Sequence, residues 1–138
     1  MSARHVVLPL GLLLALFPCL ASAEPLAGSD AEIRETADPI LDNILEGIAG
    51  ADHAAYVRDF DATMRKASGE KAFARVVKMT EAALGEYESR EYLGYLERGG
   101  MTLLLWKARF SESDDDVLVK LVLNREEERT EVSGLWMQ

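Results

Sequence analysis

Apolar and polar positions follow three successive regimes along this chain. Val6 to Leu20 is a nearly unbroken apolar run, preceded by the short positive start Met1-Ser2-Ala3-Arg4-His5 and followed by the small-x-small triplet Ala21-Ser22-Ala23. That pattern predicts a secretory signal peptide, residues 1–23, cleaved after Ala23. Pro9 and Pro18 interrupt the run, and it falls short of the roughly 20 apolar residues of a membrane span. Residues 24–30, with Pro25, Gly28 and Ser29, read as a loose linker, and residues 31–138 as one domain.

The second regime is helical. Ile33, Ala37, Ile40, Leu41, Ile44 and Ile48 recur at three- and four-residue steps and form one apolar stripe. Pro39 either opens a helix capped by Asp38 or kinks a longer one, and Gly50 can stop it. Asp52 predicts the N-cap of a second helix whose buried face is Tyr56, Phe60 and Met64. A third helix is expected from Glu70 to about Leu84, with Phe73, Val76, Val77, Thr80 and Leu84 inside and Gly85 as its stop.

After Gly85 the period shortens to two. Ser89–Glu97, Met101–Phe110, Asp116–Asn124 and Arg129–Gln138 read as strands. Tyr92 and Leu96 are expected on one side of the first and Leu93 and Tyr95 on the other. Leu104, Trp106, Ala108 and Phe110 share a face of the second, opposite Lys107 and Arg109. Val117, Val119, Leu121 and Leu123 share a face of the third, and Val132, Gly134 and Trp136 alternate along the last. Arg98-Gly99-Gly100 is a tight-turn signal. The fold class expected is α+β: three N-terminal helices packed on a four-stranded antiparallel meander. Met101, Leu103 and Leu105 would then form an apolar patch on the outer face, suited to a homodimer.

Charge and cysteine narrow the function classes. The 138 residues carry 15 Lys+Arg and 24 Asp+Glu, a net charge of −9, which becomes −10 when Arg4 is removed with the leader. Such a surface repels phosphate backbones and anionic lipid, so nucleic-acid binding is not expected. Cys19 is the single cysteine. Pro18 before it fits a lipoprotein signal poorly, and without it the domain has no disulfide, thiol nucleophile or cysteine-held metal.

Candidate chemistry is sparse. His53 is the domain's single histidine and could act as a general base oriented by Asp52 or Asp59. Its place just after a helix cap favours an exposed structural residue. One histidine and no cysteine make a poor zinc site. Asp114-Asp115-Asp116 lacks the spacing of a calcium loop and reads as a solvated turn. No phosphate-binding glycine loop or nucleophile elbow is present, and no cofactor is expected. Tyr56, Phe60, Tyr92, Trp106, Phe110 and Trp136 are the candidates for an aromatic ligand-binding surface.

Two stretches carry a resemblance. The first is Asp52-His53-Ala54-Ala55-Tyr56-Val57-Arg58-Asp59-Phe60-Asp61, leading to Met64. The second runs from Leu84-Gly85-Glu86-Tyr87 through Trp106-Lys107-Ala108-Arg109-Phe110 to Val132-Ser133-Gly134-Leu135-Trp136. Together they resemble an uncharacterised family of small secreted prokaryotic domains in the nuclear-transport-factor-2-like, or cystatin-like, superfamily. The resemblance implies a strongly curved sheet wrapped around helices, a cone with room for a pocket. It implies no reaction, because that architecture hosts enzymes, binding modules and dimerisation domains alike. The expectation is an exported, non-catalytic domain binding a small apolar or amphipathic ligand, or a protein partner, through its sheet. The alternative is a small isomerase- or hydratase-like enzyme using His53 or Asp59, with Tyr92 or Arg109 steadying negative charge.

Overall fold

The computed structural model describes residues 23–138. The predicted leader, its cleavage site and Cys19 lie outside the described residues, except for Ala23 itself. The elements are α1 (Asp30–Ala49), α2 (His53–Tyr56), α3 (Ala62–Ala67), α4 (Glu70–Ala83), β1 (Tyr87–Arg98), β2 (Met101–Phe110), β3 (Val117–Glu126) and β4 (Arg129–Met137). The strands pair in sequence order, all antiparallel, in one open sheet. The α+β class and the antiparallel meander are as the alternation of the sequence predicted.

Helix α1 begins at a reciprocal cap. Ser29 Oγ accepts from the Glu32 amide at 3.4 Å, and Glu32 Oε2 accepts from the Ser29 amide at 2.7 Å. The Ser29 amide, followed by its hydroxyl, holds the Glu32 carboxyl below its ordinary pKa of 4.5. Of the two readings of Pro39, the structure has the long one: α1 runs through the proline, which sits on the exposed side. Gly50 is the C-cap, and the left-handed residue that turns the chain is Ala51, at φ 51°.

The expected second helix is two short ones. Residues 57–61 leave helical geometry because Asp59 and Asp61 make backbone bonds to β4. The Val132 amide donates to Asp59 O at 2.7 Å, and the Asp61 amide donates to Val132 O at 2.9 Å. Asp61 then caps α3 through its side chain, accepting from the Met64 amide at 2.7 Å. The domain therefore carries four helical segments where the periodicity predicted three. Phe60, bridged to Val132, is driven into the core at 1% exposure.

The linker is docked. The backbones of Glu24 and Arg125 exchange hydrogen bonds of 2.9 and 2.8 Å, the Leu26 amide donates to Thr102 Oγ1 at 2.8 Å, and the Leu26 side chain is buried. Its glycine and proline set its shape, but one apolar side chain and one free sheet edge suffice to bind it.

The core is one cluster. The stripe of α1 meets Leu104, Trp106, Ala108 and Phe110 of β2, alternate residues of β3 from Val117 to Leu123, and Val132. Tyr56 joins it through Phe60 and Phe73, with ring centroids 4.9 and 4.7 Å away. No helix among the described residues covers the sheet's other face, and that asymmetry positions everything below.

Candidate functional site

Two single-residue bulges decide which side chains the sheet presents. In β1, Tyr92 pairs with Trp106 and Gly94 with Leu105, so Leu93 is the extra residue. Tyr92 and Tyr95 therefore both face the core and Leu96 faces out, where simple alternation had put Tyr92 and Leu96 together. In β4, Val122 pairs with Gly134 and Leu123 with Val132, leaving Ser133 extra. Val132 consequently points inward while Gly134 and Trp136 point outward, a correction to the expected alternation.

The six aromatic candidates are thus not one surface. Tyr56, Phe60, Trp106 and Phe110 are core residues, none more than 5% exposed. Trp106 Nε1 is buried without a hydrogen-bond partner among the described residues. Tyr92 is half-buried; its hydroxyl donates to Asp30 Oδ1 at 3.1 Å and Arg34 lies 4.8 Å from its ring centroid. Trp136 stands on the opposite side of the sheet, 46% exposed.

The polar candidates are engaged locally. His53 Nε2 lies 2.6 Å from Ser68 O. A carbonyl only accepts, so this nitrogen carries the proton. Its ring packs on Phe73, with centroids 5.4 Å apart. Asp59 accepts from Asn43 Nδ2 at 3.2 Å. Arg109 holds the Asp114–Asp116 turn, donating to Asp114 O at 3.2 Å and Asp116 Oδ1 at 3.1 Å. Among the described residues, no group of three or more histidine, cysteine or acidic side chains is placed to hold a metal ion. No helix among them is long and apolar enough to cross a membrane.

The outer face of the sheet is the first place with room for something else. Leu96, Leu103, Val122 and Gly134 face one another across all four strands. The Trp136 ring covers Gly134, and Lys120 Nζ lies 4.4 Å from its centroid. A shallow hollow of about 320 Å³ lies among Met101, Leu103, Val122, Ser133 and Trp136. Met101, Leu103 and Leu105 are half-buried here, on the side that strand alternation predicted.

The second place is an open groove of about 1010 Å³ where α1 and α4 end over one end of the sheet. Its floor is Leu45, Ile48, Val77, Tyr87, Phe110 and Met137, and Glu46, Glu81, Glu86 and Glu112 stand around it. Gly85 makes this rim. At φ +78° it stops α4, and a Cβ there would come within 2.5 Å of the Glu112 side chain. The chain can then be stitched shut: Glu112 N donates to Leu84 O at 2.9 Å and Ser111 N to Glu86 O at 2.8 Å. Neither His53 nor Asp59 lines the groove; of the six aromatic candidates only Phe110 does. The sequence held one signal for it: glutamates in the last turns of two helices that have no basic residue there.

No family model, curated protein or solved structure matches this chain.

Proposed function

We propose that this domain is an exported, non-catalytic interaction module that docks onto a second copy of itself through the outer face of its sheet. The observation that carries the reading is the apolar row of Leu96, Leu103 and Trp136 around the buried Val122, left uncovered by the described residues. Contiguous apolar surface of this kind marks interaction sites, and two sheets pack face to face by interdigitating such side chains about 10 Å apart. Charge supports a like partner. On this face Lys107 pairs with Glu91 at 3.0 Å and Arg109 with Asp116 at 3.1 Å. Two domains of net charge −10 would meet here through a face whose charges are already paired, away from their unpaired acidic surfaces.

The leader read at residues 1–23 supports export. The local engagement of His53 and Asp59, both away from the groove, supports a module over an enzyme. The order of helices then meander, with bulges in both edge strands to bend the sheet, supports the cone-like, nuclear-transport-factor-2-like reading.

Sedimentation equilibrium on residues 24–138 tests the proposal. A concentration-dependent dimer is expected, with Leu103→Glu giving a monomer of unchanged circular dichroism. A wild-type chain that stays monomeric at its highest soluble concentration removes the reading.

A further inference from the structure

From the groove on the other side of the molecule we infer a second, independent binding site, for an amphipathic organic cation: an apolar body carrying an amine. Four features converge there. The floor is apolar, set by Leu45, Val77, Phe110 and Met137. Its volume of about 1010 Å³ is at the upper end of the roughly 300–1,000 Å³ of small-molecule sites. The lining includes five acidic residues and no lysine or arginine. Both α1 and α4 end at the groove, so their C-terminal backbone dipoles, each equivalent to roughly half a negative charge, add to the carboxylates.

The balance of charge is what names the ligand. Asp42 is already satisfied, because Arg90 donates to it at 2.6 Å. Glu46, Glu81, Glu86 and Glu112 make no ion pair among the described residues. Glu46 and Glu81 lie in helix last turns, where a carboxylate is least favourable and a cation most so. A fatty acid or other anion is repelled from such a site, and a neutral apolar molecule leaves the negative potential unanswered. An ammonium group above the apolar floor answers it.

Octylammonium, octanol and octanoate share one chain length and differ in head-group charge. Backbone amide NMR titration of the wild-type domain with each tests the site. Octylammonium is expected to shift Leu45, Val77 and Met137 at concentrations about tenfold below octanol, with octanoate weaker still. The preference for the amine should shrink as salt is added. It should also be lost in Glu81→Gln/Glu112→Gln, whose spectrum reports its fold directly. Equal binding of octanol and octylammonium, or octylammonium shifts confined to the Trp136 face, would overturn the inference. The oligomeric state does not enter these readouts, so failure here and failure of the sheet-face dimer are separate results.

Discussion

The Trp136 ring lies over Gly134 on the outer face of the sheet, so close that a methyl group at position 134 would stand 2.5 Å from two of its carbons. On an edge strand an aromatic ring laid over a glycine restores the packing that the glycine lacks. It also makes Trp136 a fixed platform. Gly134→Ala is expected to lift the ring off the sheet. Because Trp106 is fully buried, the change in tryptophan emission should come from Trp136 alone, as a red shift. The same substitution should weaken dimerisation, read by sedimentation. An unchanged emission spectrum would mean that the ring finds another seat on the same face.

Gly47 has a stricter role. A Cβ there would stand 2.6 Å from the Tyr56 amide nitrogen and 3.0 Å from Asp52 O, both backbone atoms of the α2 segment. Neither can swing aside as a side chain would. Gly47→Ala gains helix propensity, but it must push α2 off α1. A net loss of about 1–3 kcal/mol is expected in urea unfolding. Equal or greater stability would show that α2 yields freely.

Tyr92 gives the domain an alkaline signature. Burial first, and the bond to Asp30 second, push its pKa up from 10.0 to about 12. The folded chain thus holds the phenolic proton more tightly than the unfolded chain. The corresponding stability is complete below pH 10 and is lost as pH rises through about 12. Burial also pushes the Tyr56 phenol up, so ultraviolet titration should show two of the four tyrosines, Tyr56 and Tyr92, ionising late. Tyr92→Phe should remove one of these two late ionisations, leaving that of Tyr56, and reduce the dependence of stability on alkaline pH. If the number of late-ionising tyrosines is the same in the variant, Tyr92 is not one of them.

His53 is expected to matter for stability alone. Its bond to Ser68 O at 2.6 Å ties α2 to the end of α3. His53→Ala should cost about 1 kcal/mol in chemical denaturation and leave octylammonium binding unchanged. A loss of binding with stability intact would place this side chain in a site and revive the enzyme alternative.

These residues also show what one sequence can disclose. The four strands and the core face of β2 were readable because Leu104, Trp106, Ala108 and Phe110 alternate without a break against polar or half-buried neighbours. The turn at Gly99-Gly100 was readable because both residues take positive φ, 61° and 77°, as a two-residue hairpin requires. What failed to show were offsets of a single residue. Leu93 and Ser133 are extra residues on their strands, and each reverses the facing of everything beyond it, which is why Trp136 left the aromatic set. Residues 57–61 are helical by apolar spacing, but their backbone is claimed by Val132, a residue more than seventy positions away. The groove escaped for a similar reason: Glu46, Glu81, Glu86 and Glu112 come from three separate stretches that only the closed chain brings together.

Both ends of the described chain are fastened to one strand. Glu24 pairs with Arg125, and Gln138 exchanges two backbone bonds with Leu118. These anchor points on β3 are seven residues apart, about 23 Å in extended chain, and the antiparallel pairing sends the two ends out in opposite directions. A tether pulling on residues 24 and 138 would therefore load β3 lengthwise, stressing its neighbours in shear all at once. A pull along that axis would have to break the bonds of β3 to its neighbours together, whereas a pull at right angles to β3 would open them one by one.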